Sequence, residues 1–220
     1  MNNLYKSISK KLFMVFTILF LLNFLQLYIY FLIDDRNIFS FIHMFDFDME
    51  YNLPTLFSSF ILLISAILFY IISKLINDDI HWKILSILFI FMSIDESLQI
   101  HEYIGGIVRY YLKDFNYIYY LWVLPYTFII IFISLFFIKF FIHLKKEYRN
   151  KILISFFLFL LGAVGFDILG GYEASLHGTR TITYSFLYTI EESLEMLSII
   201  YLIRTLLKYI EIELKGSFNK

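Results

Sequence analysis

Two octets in this chain, Ser93-Ile94-Asp95-Glu96-Ser97-Leu98-Gln99-Ile100 and Thr189-Ile190-Glu191-Glu192-Ser193-Leu194-Glu195-Met196, set acidic doublets inside long apolar runs. An ionised side chain in the middle of a membrane costs about 2.5–3.5 kcal/mol on insertion scales, so each doublet marks a functional site by default. Neither doublet has a cationic partner nearby. Arg109, Lys113 and Arg180 fall in outer loops, and Arg204 lies near the cytoplasmic end of its helix. Carboxylates buried without such a partner are protonated or hold a cation. Three readings follow: a metal or cation site, a proton or ion pathway, or structural hydrogen-bonded acids.

Helical spacing gathers further groups around the doublets. Asp95 and Glu102 are seven residues apart and share a face, with Glu96 about 100 degrees away and Ser93, Gln99 and His101 adding polar atoms. Glu191 and Glu192 stand four and three residues before Glu195, which makes one acidic face. Asp167 sits in a stretch with Gly162, Gly165, Gly170 and Gly171, whose small residues permit close helix approach. Glu173 and His177 follow, and Tyr172 and Tyr188 are candidate supporting donors or aromatic-belt residues. Several carboxylates with one or two His are also the ligand set of bundle-core di-metal sites, although the usual Glu-x-x-His spacing is missing here. The expected cofactor is therefore one or two divalent metal ions.

The elements that must position these groups are membrane helices. Hydrophobic residues make up 60% of the 220 and charged residues 17%, with mean hydropathy +0.74. A soluble domain carries roughly 25% charged residues, so the composition describes a polytopic membrane protein. The absence of Cys excludes disulfides, thiolate metal sites and cysteine nucleophiles. No basic cluster with interleaved aromatics suggests nucleic acid. A span needs about 20 mostly apolar residues, and six segments qualify: 12–33, 54–76, 83–103, 119–143, 152–173 and 183–208. The first is a retained helix, not a cleaved signal, because Asn23 and Gln26 interrupt it and no small-residue cleavage site follows. Together they form one all-α integral domain over residues 1–220.

Lys and Arg concentrate in alternate loops, at the N-terminus, at 74–83, at 139–151 and in the tail. The 34–53 loop instead carries Asp34, Asp35, Asp46, Asp48 and Glu50 against Arg36. Both termini are therefore expected on the cytoplasmic side. The octets lie 96 residues apart with four identities, and the gap-free match pairs Ser59 with Ser155 and His81 with His177. Three helices per copy would make a 3+3 inverted repeat with its site near the midplane; chance similarity among apolar segments is the alternative.

The assembled motifs resemble an uncharacterised family of bacterial multi-pass membrane proteins. The resemblance rests on Ser93, Asp95, Glu96, His101 and Glu102, then on Trp122-Val123-Leu124-Pro125-Tyr126, on Gly162 to Tyr172, and on Glu191 to Leu197, over roughly residues 80 to 210. This chain has Asp167 and Ser198 where the family tends to carry Glu and Gly. The resemblance implies a bacterial cytoplasmic membrane and supports the choice of site residues, with no reaction attached. The functional expectations are a membrane protein binding metal or another cation, in one form a metal-dependent enzyme on a lipophilic substrate. A proton- or cation-coupled transporter or channel is the second, and a structural membrane subunit the third. Expected partners are the lipid bilayer, a lipophilic small molecule or ion, and a second copy of the chain in a homo-oligomer.

Overall fold

A computed structural model describes residues 3–32, 43–112 and 119–214. Asp34, Asp35, Arg36, Lys113 and Lys215, which enter the orientation argument, lie outside them. The described residues are helical, without strands: α1 (Leu4–Leu32), α2 (Leu53–Leu75), α3 (Ile80–Leu98), α4 (Ile100–Tyr111), α5 (Val123–His143), α6 (Lys146–Leu160), α7 (Asp167–His177) and α8 (Ile182–Lys208). A single 3-10 turn, His43–Phe45, precedes α2. A π-turn, Leu161–Phe166, joins α6 to α7 in one 32-residue helix.

Four of these helices, Leu4–Leu32, Leu53–Leu75, Val123–His143 and Lys146–His177, are long and apolar enough to cross a membrane. A fifth crossing requires α3 and α4 to be taken together, bent by 74°. The expected sixth span, α8, is 27 residues long but carries Glu191, Glu192, Glu195, Arg204 and Lys208, and those charges take it below the same measure.

The helix starts are written locally. Asn52 Oδ1 accepts from the Thr55 amide at 3.1 Å ahead of Pro54, which occupies a position where no amide is needed. Asp79 and Thr181 cap α3 and α8 in the same way. Pro125 falls in the first turn of α5, where the lost amide has no partner to miss, so it bends nothing.

Burying apolar surface does not drive helix association in lipid; close packing and interhelical hydrogen bonds do. A serine ladder joins α2 to α3. The Ser59 hydroxyl donates to the Ser93 carbonyl at 2.8 Å, Ser93 answers to the Ser59 carbonyl at 2.9 Å, and Ser86 reaches the Ala66 carbonyl at 2.8 Å. α8 is the hub, packed by α1, α2, α6 and α7, with Met196, Leu202, Ile203 and Leu206 fully buried. α1 meets it along Leu12, Phe16, Leu19, Asn23 and Gln26, a spacing of four and three that makes one seam. The Asn23 amide donates to Thr189 Oγ1 across that seam at 3.1 Å.

The gap-free repeat does not extend to these contacts. It would carry the Ser59–Ser93 pair onto Ser155 and Thr189, whereas Ser155 donates to the carbonyl of Ser198. The second hairpin is nine residues longer between its paired positions than the first.

α5 is packed differently from the rest. It buries only Val123 and Phe137 and is held at its ends by side chains. Near its C-terminal end Phe140 stacks on His81 at 5.0 Å and meets Trp82 edge-on at 5.0 Å. At the other end Tyr126 and Trp122 reach α3 and α4.

Candidate functional site

The first octet ends in a break. Gln99 adopts the left-handed conformation (φ 55°), which stops α3, and its amide closes onto the Asp95 carbonyl. Asp95 then supplies what the next helix lacks: its Oδ1 accepts the His101 amide at 2.8 Å and the Tyr126 hydroxyl at 3.0 Å. The expected continuous span 83–103 is therefore two helices, and the expected stripe from Asp95 to Glu102 does not exist, because the two residues stand on different axes. His101 still returns to the doublet, with Nδ1 at 3.4 Å from Asp95 Oδ2 and its ring edge-on to Trp122.

A cavity of about 840 Å³ opens beside these residues. Asp95 and Glu96 line it from α3, Glu102 from α4, Asp167 from α7, and Glu191, Glu192 and Glu195 from α8. The acids of α8 are only half-buried because their open side faces this cavity. The acidic face expected from their spacing is present. Asp167 is 7% exposed, and its Oδ2 has no hydrogen-bond partner among the described residues. Glu191 has Asp167 and Glu192 within electrostatic reach, and Glu195 has Glu96 and Glu191. Arg149, in the first turn of α6, is the one Lys or Arg among the described lining residues.

Gly162 makes this proximity available. A Cβ there would lie 2.8 Å from the Glu191 carbonyl and 3.0 Å from Glu195 Cγ, so only glycine lets α6 approach α8 at the doublet. It sits in the π-turn, a form of helix that is frequent at functional sites. Gly171 does the same against Tyr119 Cβ and the ring of Tyr120.

Other expected residues stand elsewhere. Ser93 and Ser97 are spent on the ladder to Ser59, at 3.0 and 2.7 Å. Tyr172 is 63% exposed and points away from the cavity lining. Glu173 pairs with His177 at 3.1 Å and accepts from Thr181, a local clasp between α7 and α8 outside the cavity. Tyr188 lines the cavity and donates to Asp46.

That last contact exposes what the sequence reading missed. The segment before α2 folds inward and brings Asp46, Asp48 and Glu50 to the site. Asp46 accepts from Gln26 at 2.9 Å and from Tyr188 at 3.2 Å, while the Phe47 amide donates to Asn23 Oδ1 at 3.0 Å. Tyr184 donates to Asp48 at 2.6 Å and meets Tyr120 at 3.1 Å. Burial raises Asp46 above the ordinary carboxylate range, against the opposing Tyr188 hydrogen bond. Desolvation pushes Asp48 up to about 6, although part of it stays open to the cavity. Glu50 is raised for the same reason and is opposed by His101. One signal was available: Asn23 and Gln26, three apart on an otherwise apolar helix, demanded polar partners.

Glu50, His101 and Glu102 each offer a ligand atom, and these atoms all lie within 4.8 Å of one another. Two carboxylates and an imidazole form a donor set suited to zinc or another first-row transition metal, with coordination positions left for water or substrate.

Fold and site together define an all-helical protein with membrane-type apolar helices around a carboxylate-lined cavity. The chain belongs to the family described as Domain of unknown function (DUF8692), which matches residues 12–209. Neither the curated proteins nor the solved structures give a match.

Proposed function

We propose that this chain is a multi-pass protein of a bacterial cytoplasmic membrane that holds a divalent metal ion at its outer side and acts on, or binds, a lipophilic molecule there. The observation that carries this reading is the convergence of Glu50, His101 and Glu102 to within 4.8 Å at one end of an otherwise anionic cavity. With α3 alone and α8 both counted as spans whose acids face inward, the helices cross six times and both termini are cytoplasmic. α4 then lies along the outer interface. Its exposed face carries Tyr103, Ile107 and Tyr110, all more than half exposed, in the manner of an interfacial aromatic anchor.

The conduit reading has less support. The acids descend from Glu50 to Glu195, halfway along α8, and stop. Below them the cavity runs between Leu88, Phe89, Phe137, Phe141 and Phe156, with no further carboxylate. An ion released inward would meet hydrocarbon.

Metal analysis of protein purified without added chelator tests the proposal. Stoichiometric zinc, manganese or iron is expected, lost in His101→Ala and in Glu50→Gln but retained in Glu173→Gln. No metal in the unaltered protein, or equal metal in all four, removes the reading.

A further inference from the structure

The cavity has two chemically unlike halves. Its outer half is acidic; its inner half is an apolar arm between α3, α5 and α6, walled by Leu88, Phe89, Ile133, Phe137, Phe156 and Leu160. The whole cavity follows α5 from Tyr126 at its outer end to Ile142, sixteen residues or roughly 24 Å at 1.5 Å per residue. That is deeper than the roughly 15 Å of one leaflet's hydrocarbon. Where the halves meet stand Asp167, Glu191 and Glu195. Asp167 is more than nine-tenths buried, lines the cavity, and leaves Oδ2 without a partner among the described residues. Apart from Glu50, His101 and Glu102, no three His, Asp or Glu ligand atoms among the described residues come within 4.8 Å of one another. An ammonium group suits the unpartnered Asp167 Oδ2, to which it can donate, while Glu191 and Glu195 lie within electrostatic reach of that carboxylate and favour its positive charge. A carboxylate or phosphate head would meet like charge.

We propose that the cavity binds a long-chain primary amine, with its ammonium group among Asp167, Glu191 and Glu195 and its single hydrocarbon tail in the arm between α3, α5 and α6. The binding rests on the cavity as a cation site but does not require the metal held by Glu50, His101 and Glu102. The tail reaches the arm sideways, past α5, which buries only Val123 and Phe137 of its own side chains.

The test uses the full chain in lipid nanodiscs with octadecylamine bearing a diazirine on its tail. Photolysis followed by peptide mass spectrometry is expected to place adducts on the arm-facing segments of α3, α5 and α6. Unlabelled octadecylamine should displace them at a roughly tenfold lower mole fraction than octadecanoate. Ile133→Trp, or the milder Ser134→Leu, should lower arm adducts, and Asp167→Asn should erase the preference between the two competitors. Adducts scattered over the outward face of α5 at Phe128 and Phe132, or equal competition by octadecanoate, overturn the proposal. Metal content measured on the same samples separates the two readings. Metal without amine-selective adducts removes the amine alone, and adducts without metal remove the metal alone.

Discussion

Tyr126 and Asp95 meet across the outer end of the cavity: the tyrosine hydroxyl, carried by α5, donates at 3.0 Å to the carboxylate oxygen that also caps α4. One residue thus closes a helix with its backbone carbonyl and, with its side chain, starts another and anchors a third. Asp95→Ala leaves the His101 amide and the Tyr126 hydroxyl without their acceptor and should lower stability by about 1–3 kcal/mol. Asp95→Asn keeps an acceptor oxygen and should lose less. Tyr126→Phe should cost about 1 kcal/mol and free the outer end of α5. Thermal unfolding in detergent, with limited proteolysis before α5, measures all three. Equal stability of Asp95→Ala and the unaltered protein would show that the break at Gln99 holds without its cap.

The glycines of the π-turn separate by what they face. Gly162→Ala drives a methyl into the backbone of α8 and should cost about 1–3 kcal/mol, with loss of the acidic cavity's geometry. At Gly165 the added carbon meets only the flexible end of Leu161, at 3.2 Å, and at Gly106 it meets nothing within 4 Å. Gly165→Ala and Gly106→Ala should therefore be tolerated or slightly stabilising. If Gly162→Ala unfolds at the same temperature as Gly165→Ala, the close approach of α6 and α8 is not what glycine provides.

The inward-folded segment before α2 gives the protein a pH response. Asp46 and Asp48 both have folded pKa values raised by desolvation, Asp48 to about 6. The folded state therefore binds their protons more tightly than the unfolded chain, whose carboxylates titrate near 3.9. The Asp48 contribution is complete below about pH 4 and is lost as pH rises through 6, and that of Asp46 changes in the same direction. Chelator-treated protein should unfold at a lower temperature at pH 7 than at pH 5, and Asp48→Asn should flatten that difference. A steeper fall in Asp48→Asn would contradict the assignment. Gln26→Leu, which removes the donor to Asp46, should cost about 1–3 kcal/mol at either pH.

The lack of native cysteine makes the orientation directly measurable. Thr179→Cys, in the exposed turn between α7 and α8, should react with a membrane-impermeant maleimide added to intact cells. Lys146→Cys, at the exposed start of α6, should react only after the membrane is opened. Labelling of both from the same side would require an even number of crossings between them, and the reverse pattern would require an inverted bundle.

The apolar runs made the spans legible, because lipid allows backbone polar groups few solutions other than a helix. The face shared by Glu191, Glu192 and Glu195 was legible too, since helical spacing alone sets it. The break at Gln99 was not. No Gly or Pro marks it, and what stabilises it is a carboxylate four residues back together with a tyrosine from α5. Asp46, Asp48 and Glu50 were misread for a related reason. Acids in a loop ordinarily face water, and nothing near them in sequence shows that Asn23, Gln26, Tyr184 and Tyr188 wait on other helices. α8 was right as a helix and ambiguous as a span, because the acids that make it functional also lower its hydropathy.

The 74° turn between α3 and α4 has a mechanical corollary. Glu50 is tied to the bundle through the segment before α2, whereas His101 and Glu102 ride on α4, which on the proposed reading lies at the headgroup plane. On that reading a bilayer thicker or thinner than the bundle would lift or lower α4 against its fixed counterpart, at a fraction of a kcal/mol per Å of mismatch. The ligand triangle would then open or close with it, and metal affinity would answer to membrane thickness.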